Sequence, residues 1–433
     1  MSELDDTPAP PTAVPLAAPA EGVPEVAVSA GEIAGAAEQL ACGSGPFAVD
    51  AERASGFRYS NRAYLIQIRR TGAGTVLIDP VNHGGSSIDA LEPLAAVLAE
   101  DEWILHAADQ DLPCLAEVGL RPPRLYDTEL AGRLAGFERV NLAAMVERLL
   151  GLGLAKGHGA ADWSKRPLPA AWLNYAALDV EVLIELRAAI AGVLEVQGKS
   201  DWAAEEFEFL RCAQSSPTRR DRWRKTSGIH KIRTAAGLAA VQELWTTRDR
   251  IARSRDIAPG RILPDTAIIA AAAAEPKTVE ELLALPVFGG KQQRRTAQVW
   301  LDALATARSG GQAPDIADDA GGPPPPVRWA KRKPEAAVRL EAARAALSEL
   351  SQRVGVPTEN LLSPELLRRL CWDWPGRGDS AADDAGAVDE FLRDGGARVW
   401  QRELVVPVLA EAGASRSVRK PTPDTPPARP PSR

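Results

Sequence analysis

The sequence predicts an α/β domain followed by all-α domains, and three observations carry that split. Between Phe47 and Leu186 short apolar runs alternate with stretches of helical spacing. After Leu238 apolar residues recur at helical spacing alone, as in Leu238, Val241, Leu244 and Trp245. The segment SGGQAPDIADDAGGPPPP, beginning at Ser309, cannot bury a core and divides the helical part in two. With 433 residues the chain exceeds one ordinary core, so two or three domains are expected.

Taken in order, residues 1–24 are rich in Pro and Ala without periodicity and are expected to be disordered. Residues 25–213 are read as the α/β domain. Its runs PFAVDAE, AYLIQIRR and GTVLIDP predict three strands in a meander. IDALEPLAAVLAE then predicts a helix, EWILHAA a strand, and the remainder to Leu186 helices. The SSP at 215–217 marks a weaker break, so 214–308 is read as a first helical domain. Residues 309–333 form a linker, 334–412 a second helical domain, and 413–433, alternating Pro with Arg and Lys, a disordered tail.

Composition narrows the function. Hydrophobic residues make up 45% and charged residues 25%, with no apolar run of membrane-spanning length. The first residues are acids and prolines where a secretory signal needs basic residues and an apolar core. Four scattered cysteines form neither zinc pairs nor a disulfide framework, which points to reduced thiols in the cytoplasm. The formal charge of −7 excludes a protein coated in positive potential, yet basic residues are segregated. Seven Lys or Arg fall between Thr218 and Arg233 against one acid, Asp221.

Chemistry is expected from carboxylates at three places. Asp50 and Glu52 stand at i and i+2 on a strand, so both leave the same face, where they repel unless a cation lies between them. In HAADQDL a strand runs into a helix; Asp109 or Asp111 could merely cap that helix, and Asp111 is taken as the functional one. His106 is read as a hydrogen-bonded structural residue. Tyr175 and Asp179 in YAALD are four residues apart, which stacks phenol and carboxylate on one helical face.

The set VDAE, HAADQDL and DWSKRPLP with NYAALDV resembles the three exonuclease motifs of the DEDD superfamily in its tyrosine-bearing branch, and most closely ribonuclease D. The histidine-bearing branch is disfavoured by Asn174. The resemblance implies an α/β ribonuclease H-like exonuclease domain with a mixed sheet, acting on nucleic acid from the 3′ end. By position it implies Asp50, Glu52, Asp111 and Asp179 as metal ligands, Tyr175 as the residue that orients the attacking water, and Asp127 in a supporting role. Two divalent cations roughly 3.5–4 Å apart can generate hydroxide and stabilise the leaving oxygen. Oxygen ligands without Cys or His clusters suit Mg²⁺ or Mn²⁺.

The segment RDRIARSRDIAPGRILPD with ELLALPVFGGKQQRR is similar to the HRDC domain shared by helicases and ribonuclease D, and 334–412 to a degenerate second copy. RNA contacts are expected from Trp163, Lys165 and Arg166, which combine an aromatic with two cations. Others are expected from Arg222, Arg224 and Lys225 in the basic stretch and from Arg248, Arg255 and Arg261 near the HRDC turn. The implied substrate is structured RNA such as transfer RNA precursors, cut by a monomer with no obligate protein partner and no membrane association. The alternatives are a 3′→5′ DNA exonuclease, since carboxylates do not sense the 2′-hydroxyl, and a catalytically silent RNA-binding protein.

Overall fold

The computed structural model describes residues 13–81, 87–155, 157–213, 221–310, 322–376 and 381–414. The chain divides into two compact units. One takes most of the chain up to residue 319, and the other takes 320 onward with the short stretches 133–138 and 201–205.

The first unit is built on a six-stranded mixed sheet. Its long strands are β3 (Ser44–Arg53), β4 (Ala63–Thr71) and β5 (Gly74–Ile78), an antiparallel meander as the sequence predicts. Short strands extend it on both sides: β2 (Val26–Ala27) runs parallel to β5, while β6 (Trp103–Leu105) and β7 (Leu125–Asp127) follow parallel beyond β3. The order β2-β5-β4-β3-β6-β7 therefore leaves β3 in the interior.

Alternation along β3 sets the two faces. Phe47, Val49 and Ala51 enter a core with Ile66, Ile68 and Trp103, covered by α1 (Ala30–Ala41) and α2 (Ser87–Leu98) through Ile33, Leu40, Leu91 and Leu94. A reciprocal Ser29 and Glu32 capping box starts α1. Leu65 and Leu77 point to the other face and pack with Ala176 and Ala177 of α6 (Ala170–Glu181). The intervening α3 (Leu112–Glu117), α4 (Thr128–Leu134) and α5 (Leu142–Leu150) are short, and α7 (Leu183–Val196) and α8 (Ser200–Cys212) follow α6.

Three expectations are corrected here. Residues 13–24 are not disordered: β1 (Val14–Leu16) pairs in parallel with β8 (Leu152–Leu154), and Ala20 N–H donates to Glu181 Oε1. Residues 1–12 lie outside the described residues. The stretch between β6 and Leu186 is not all helical, since it holds β7 and β8, each three residues long and too short to show alternation. The linker expectation for 309–333 fails at its end: α14 (Trp329–Arg332) buries Trp329 completely. Residues 311–321 of that linker, 214–220 of the break and 415–433 of the tail fall outside the described residues.

The two helical regions follow one plan. The first runs α9 (Ala235–Arg255), one-turn α10 (Pro259–Ile262), α11 (Asp265–Ala274), α12 (Val279–Leu283) and α13 (Lys291–Ser309). In the second unit α15 (Pro334–Val354), one-turn α16 (Thr358–Leu361), α17 (Pro364–Trp372), α18 (Ala381–Asp394) and α19 (Val399–Ala414) repeat that order. α9 and α15 both span 21 residues and end on a left-handed residue, Asp256 and Gly355.

Candidate active site

Asp50 and Glu52 leave β3 on the α6 side, opposite the Phe47 and Val49 core, as the spacing predicts. From α6, Tyr175 and Asp179 face the same place one turn apart, where burial and then the Asp179 charge raise the Tyr175 phenol. Carboxylate oxygens of Asp50, Glu52 and Asp179 all lie within 4.8 Å of one another. Three acids from two distant parts of the chain thus share one niche.

Asp111 arrives by a different route. It precedes α3 in the N-cap position, but its side chain makes no capping bond. It is buried, whereas Asp109 is exposed. Asp111 stands outside the tight trio, yet its charge acts on Glu52, and that of Asp50 acts on it. The turn that delivers it is held by Asp127, whose carboxylate accepts from the N–H groups of Ala107, Ala108, Glu129 and Leu130. Those four bonds fix a backbone in which Ala107 takes a φ of 60°, a conformation costly for a residue with a Cβ. Asp127 thereby orders the strand-to-helix turn before Asp111.

Electrostatics say what the pocket lacks. Burial, then the charges of Asp50, Asp179 and Asp111, push the Glu52 carboxyl up to about 10. Burial raises Asp50 to about 6, and burial followed by Asp50 raises Asp111 and Asp179 well above the carboxylate range. Like charges at this spacing ionise together only when cations lie among them. The donor set is entirely carboxylate oxygen, which fits a hard divalent ion and fits zinc poorly.

Beside the acids a cavity of about 220 Å³ opens, lined by Ala17, Gly157, His158, Asn174, Tyr175 and Asp179 among others. Gly157 is required there, because a Cβ at that position would fall 1.5 Å from Tyr175 Cε2. His158 meets the Tyr175 ring edge-on, with centroids 6.0 Å apart. Asn174 Nδ2 donates to Ala17 O, which ties the segment after β1 across α6. Sequence reading missed Ala17, Gly157 and His158, since a Pro- and Ala-rich segment pairing with a strand more than a hundred residues away leaves no local signal.

The residues expected to contact RNA separate into two groups. Trp163 is fully buried against Trp172 and cannot stack a base. Arg166 is spent on Asp79 Oδ2 at 2.6 Å and on the carbonyls of Trp163, Lys165 and Tyr64. Arg248 is buried and binds Leu263 O and Asp265. Arg261 lies over the Phe57 ring and donates to Gly56 O, joining α10 to the loop after β3. For Trp163, Arg166 and Arg248 the structure shows internal contact where RNA contact was expected, while Arg261 makes its internal contacts from an exposed position. Lys165, Arg222, Lys225 and Arg255 are exposed, and Arg224 lies over the Trp223 ring.

Comparison with known proteins agrees with this geometry. Residues 29–195 match a family described as 3′-5′ exonuclease, residues 237–304 the HRDC domain, and residues 322–412 a 3′ to 5′ exonuclease C-terminal domain. The second helical region is therefore matched under its own description, although it repeats the helix order of the first. Fold and pocket together define a metal-dependent 3′→5′ exonuclease. A ribonuclease D of Granulibacter bethesdensis is 31% identical over 70% of this chain and 74% of the relative, and that of Nitrobacter hamburgensis 29% identical over 76% and 80%. The chain belongs to the ribonuclease D family, and its activity is that of a 3′→5′ exoribonuclease that uses divalent metal.

Solved structures extend the match over nearly the whole chain. A protein from Bifidobacterium adolescentis aligns with a TM-score of 0.80 at 36% identity, covering 92% of this chain and 99% of that one. Escherichia coli RNase D, described as an exoribonuclease involved in structured RNA processing, aligns with a TM-score of 0.63 at 25% identity, covering 86% and 98%. No helix among the described residues is long and apolar enough to cross a membrane.

Proposed function

We propose that Asp50, Glu52, Asp111 and Asp179 hold two divalent cations, Mg²⁺ or Mn²⁺, and that Tyr175 orients the attacking water at the last phosphodiester of a structured RNA. The observation that carries this reading is the convergence of three carboxylates within 4.8 Å, with a fourth buried beside them. Bound there, such a pair supplies a water that deprotonates near neutral pH and offsets charge on the leaving 3′ oxygen.

The chain's own groups do the rest. Asp50 and Glu52 are fixed by an interior strand, so their separation does not depend on a loop. Tyr175 is held from behind by Gly157 and His158. Burial, then Asp179 and Glu52, push its phenol above the ordinary value, which makes it a hydrogen-bond partner for water and a poor base. The cavity beside Tyr175 and Asp179 is open enough for part of a 3′-terminal nucleotide.

Structured RNA follows from the description of the Escherichia coli relative, and transfer RNA precursors, which the family resemblance implies, are the first candidate. Four free thiols suit a reducing cytoplasm, where we expect a monomer. Matched RNA and DNA oligomers labelled at the 5′ end, incubated with Mn²⁺, Mg²⁺ or chelator, test the proposal. Shortening of RNA from its 3′ end with either metal, and none with chelator, is expected. Equal or faster loss of DNA would replace RNA as the substrate class.

A further inference from the structure

Arg53 lies where strand alternation would not put it. On a regular strand the residue after Glu52 points to the opposite face. The ladder shifts at that step, however: Glu52 pairs with Leu65 and Arg53 with Ala63, which skips Tyr64. An irregularity of this kind bends the strand and re-aims the side chain beside it. The Arg53 guanidinium accordingly sits with the acids, its Nε 3.5 Å from Asp111 Oδ1. Its Nη2 is 3.3 Å from Gln110 Oε1 and its Nη1 3.5 Å from Asn61 Oδ1.

These contacts differ from those of the structural arginines. Arg166 and Arg248 each approach a carboxylate at 2.6 Å and also bind backbone carbonyls. Every Arg53 contact is at the long end of hydrogen bonding, and each goes to a side chain. Its charge nonetheless opposes the upward shifts of Asp50, Glu52 and Asp111. The backbone behind it is firmly held, because the loop after β3 is tied to the HRDC region: Ser60 N–H donates to Asp256 Oδ1 at 2.8 Å and Ala258 N–H to Phe57 O at 3.0 Å. The side chain can move while its anchor stays.

We propose that Arg53 is a displaceable counter-ion that neutralises Asp111 when no cation is bound, yields it to a divalent ion, and then contacts a phosphate of the RNA strand. This rests on the reading of the four acids as cation ligands. A divalent ion carries twice the charge of a guanidinium and meets several carboxylates at once, so the exchange runs towards the metal. The freed guanidinium keeps a planar fork of donors that matches two phosphate oxygens.

The test uses the full-length protein as wild type, Arg53→Gln, Arg53→Lys and Asp179→Asn. Calorimetric titration with Mn²⁺ in the absence of RNA should show Arg53→Gln binding about tenfold tighter than wild type, because a competing positive charge is gone. Binding of a phosphorothioate RNA with Mn²⁺ present should weaken, and the slope of log Kd against log salt should become shallower by about 0.7, one phosphate contact on a single strand. Arg53→Lys keeps the charge and should match wild type in Mn²⁺ affinity and salt slope; it carries the test alone if Arg53→Gln fails to fold, and departure in either quantity then counts against the proposal. Unchanged or weaker Mn²⁺ binding in Arg53→Gln, or an unchanged salt slope, overturns the role of Arg53. Wild type binding Mn²⁺ no better than Asp179→Asn overturns instead the assignment of the acids as ligands.

Discussion

The carboxylate pocket and the core of the HRDC region both bury charge, and they do so in opposite ways. Arg248 is 6% exposed, and its guanidinium meets Asp265 at 2.6 Å and the Leu263 carbonyl at 3.0 Å, so its charge is matched. Glu52 is also 6% exposed, yet the charges that weigh most on it are those of Asp50, Asp179 and Asp111, all acids, and Arg53 opposes them with a smaller effect. A matched buried ion holds a structure in one arrangement; a set of like buried ions works against folding and persists where a ligand restores neutrality.

Substitutions at the two places should therefore move stability in opposite directions. The largest effect is expected at Asp179. Asp179→Asn should slow exonuclease turnover by about a thousandfold or more, some 4 kcal/mol of barrier, since it removes a proposed cation ligand. The same change relieves repulsion from Asp50, so in chelator at pH 8 the variant should gain about 1 kcal/mol of stability. A 5′-labelled RNA time course and a denaturant melt check the pair. Retained turnover removes Asp179 from the machinery, and a destabilised variant shows that its carboxylate has a structural partner.

Trp163 comes next. Because it is fully buried against Trp172, Trp163→Ala should cost about 3 to 5 kcal/mol of stability. RNA affinity of the folded protein should stay near wild type, measured by anisotropy below the melting temperature. Selective loss of affinity with little loss of stability would return the residue to the RNA surface. Arg248→Met should cost about 2 to 3 kcal/mol, less than for a fully enclosed pair because Asp265 keeps some solvent contact. The salt slope of RNA binding should not change, and Arg255→Ala, at an exposed position, should leave stability within about 0.5 kcal/mol.

What could be read from the sequence follows the same division. Asp50, Glu52, Tyr175 and Asp179 were legible because a strand period of two and a helical spacing of four turn position directly into face. The meander was legible because β3, β4 and β5 are long enough to show their pattern. β7 and β8 were not, since three residues carry no periodicity and non-local pairing makes the strand. Arginines were the least legible: the letters of Arg166, Arg248 and Arg261 do not reveal the carbonyls that receive their guanidinium groups. Arg53 was hidden by a shift in strand register, and Trp329 by the Pro-rich composition that precedes it.

His106 gives an effect confined to a pH window and tests the strand end that leads to Asp111. Its Nδ1 lies 2.9 Å from Thr128 Oγ1, while the Thr128 hydroxyl donates to Leu105 O, so the hydroxyl oxygen accepts from Nδ1–H and fixes one neutral tautomer. Burial depresses the imidazole to about 4 from an ordinary 6.5, outweighing the opposing pull of Glu129 and the Val140 carbonyl. A folded-state value below the unfolded one means that the unfolded chain binds the proton first as pH falls. The stabilisation is therefore complete above about pH 6.5 and is lost progressively down to about pH 4. A shift of this size corresponds to about 2 kcal/mol once partial exposure is allowed for. His106→Gln should accordingly show a shallower decline of stability than wild type between pH 6.5 and pH 4, measured by denaturant melts, with the two curves parallel above that window. Parallel curves through the whole range would mean that the imidazole is already solvated in the folded state and does not brace the turn that carries Asp111.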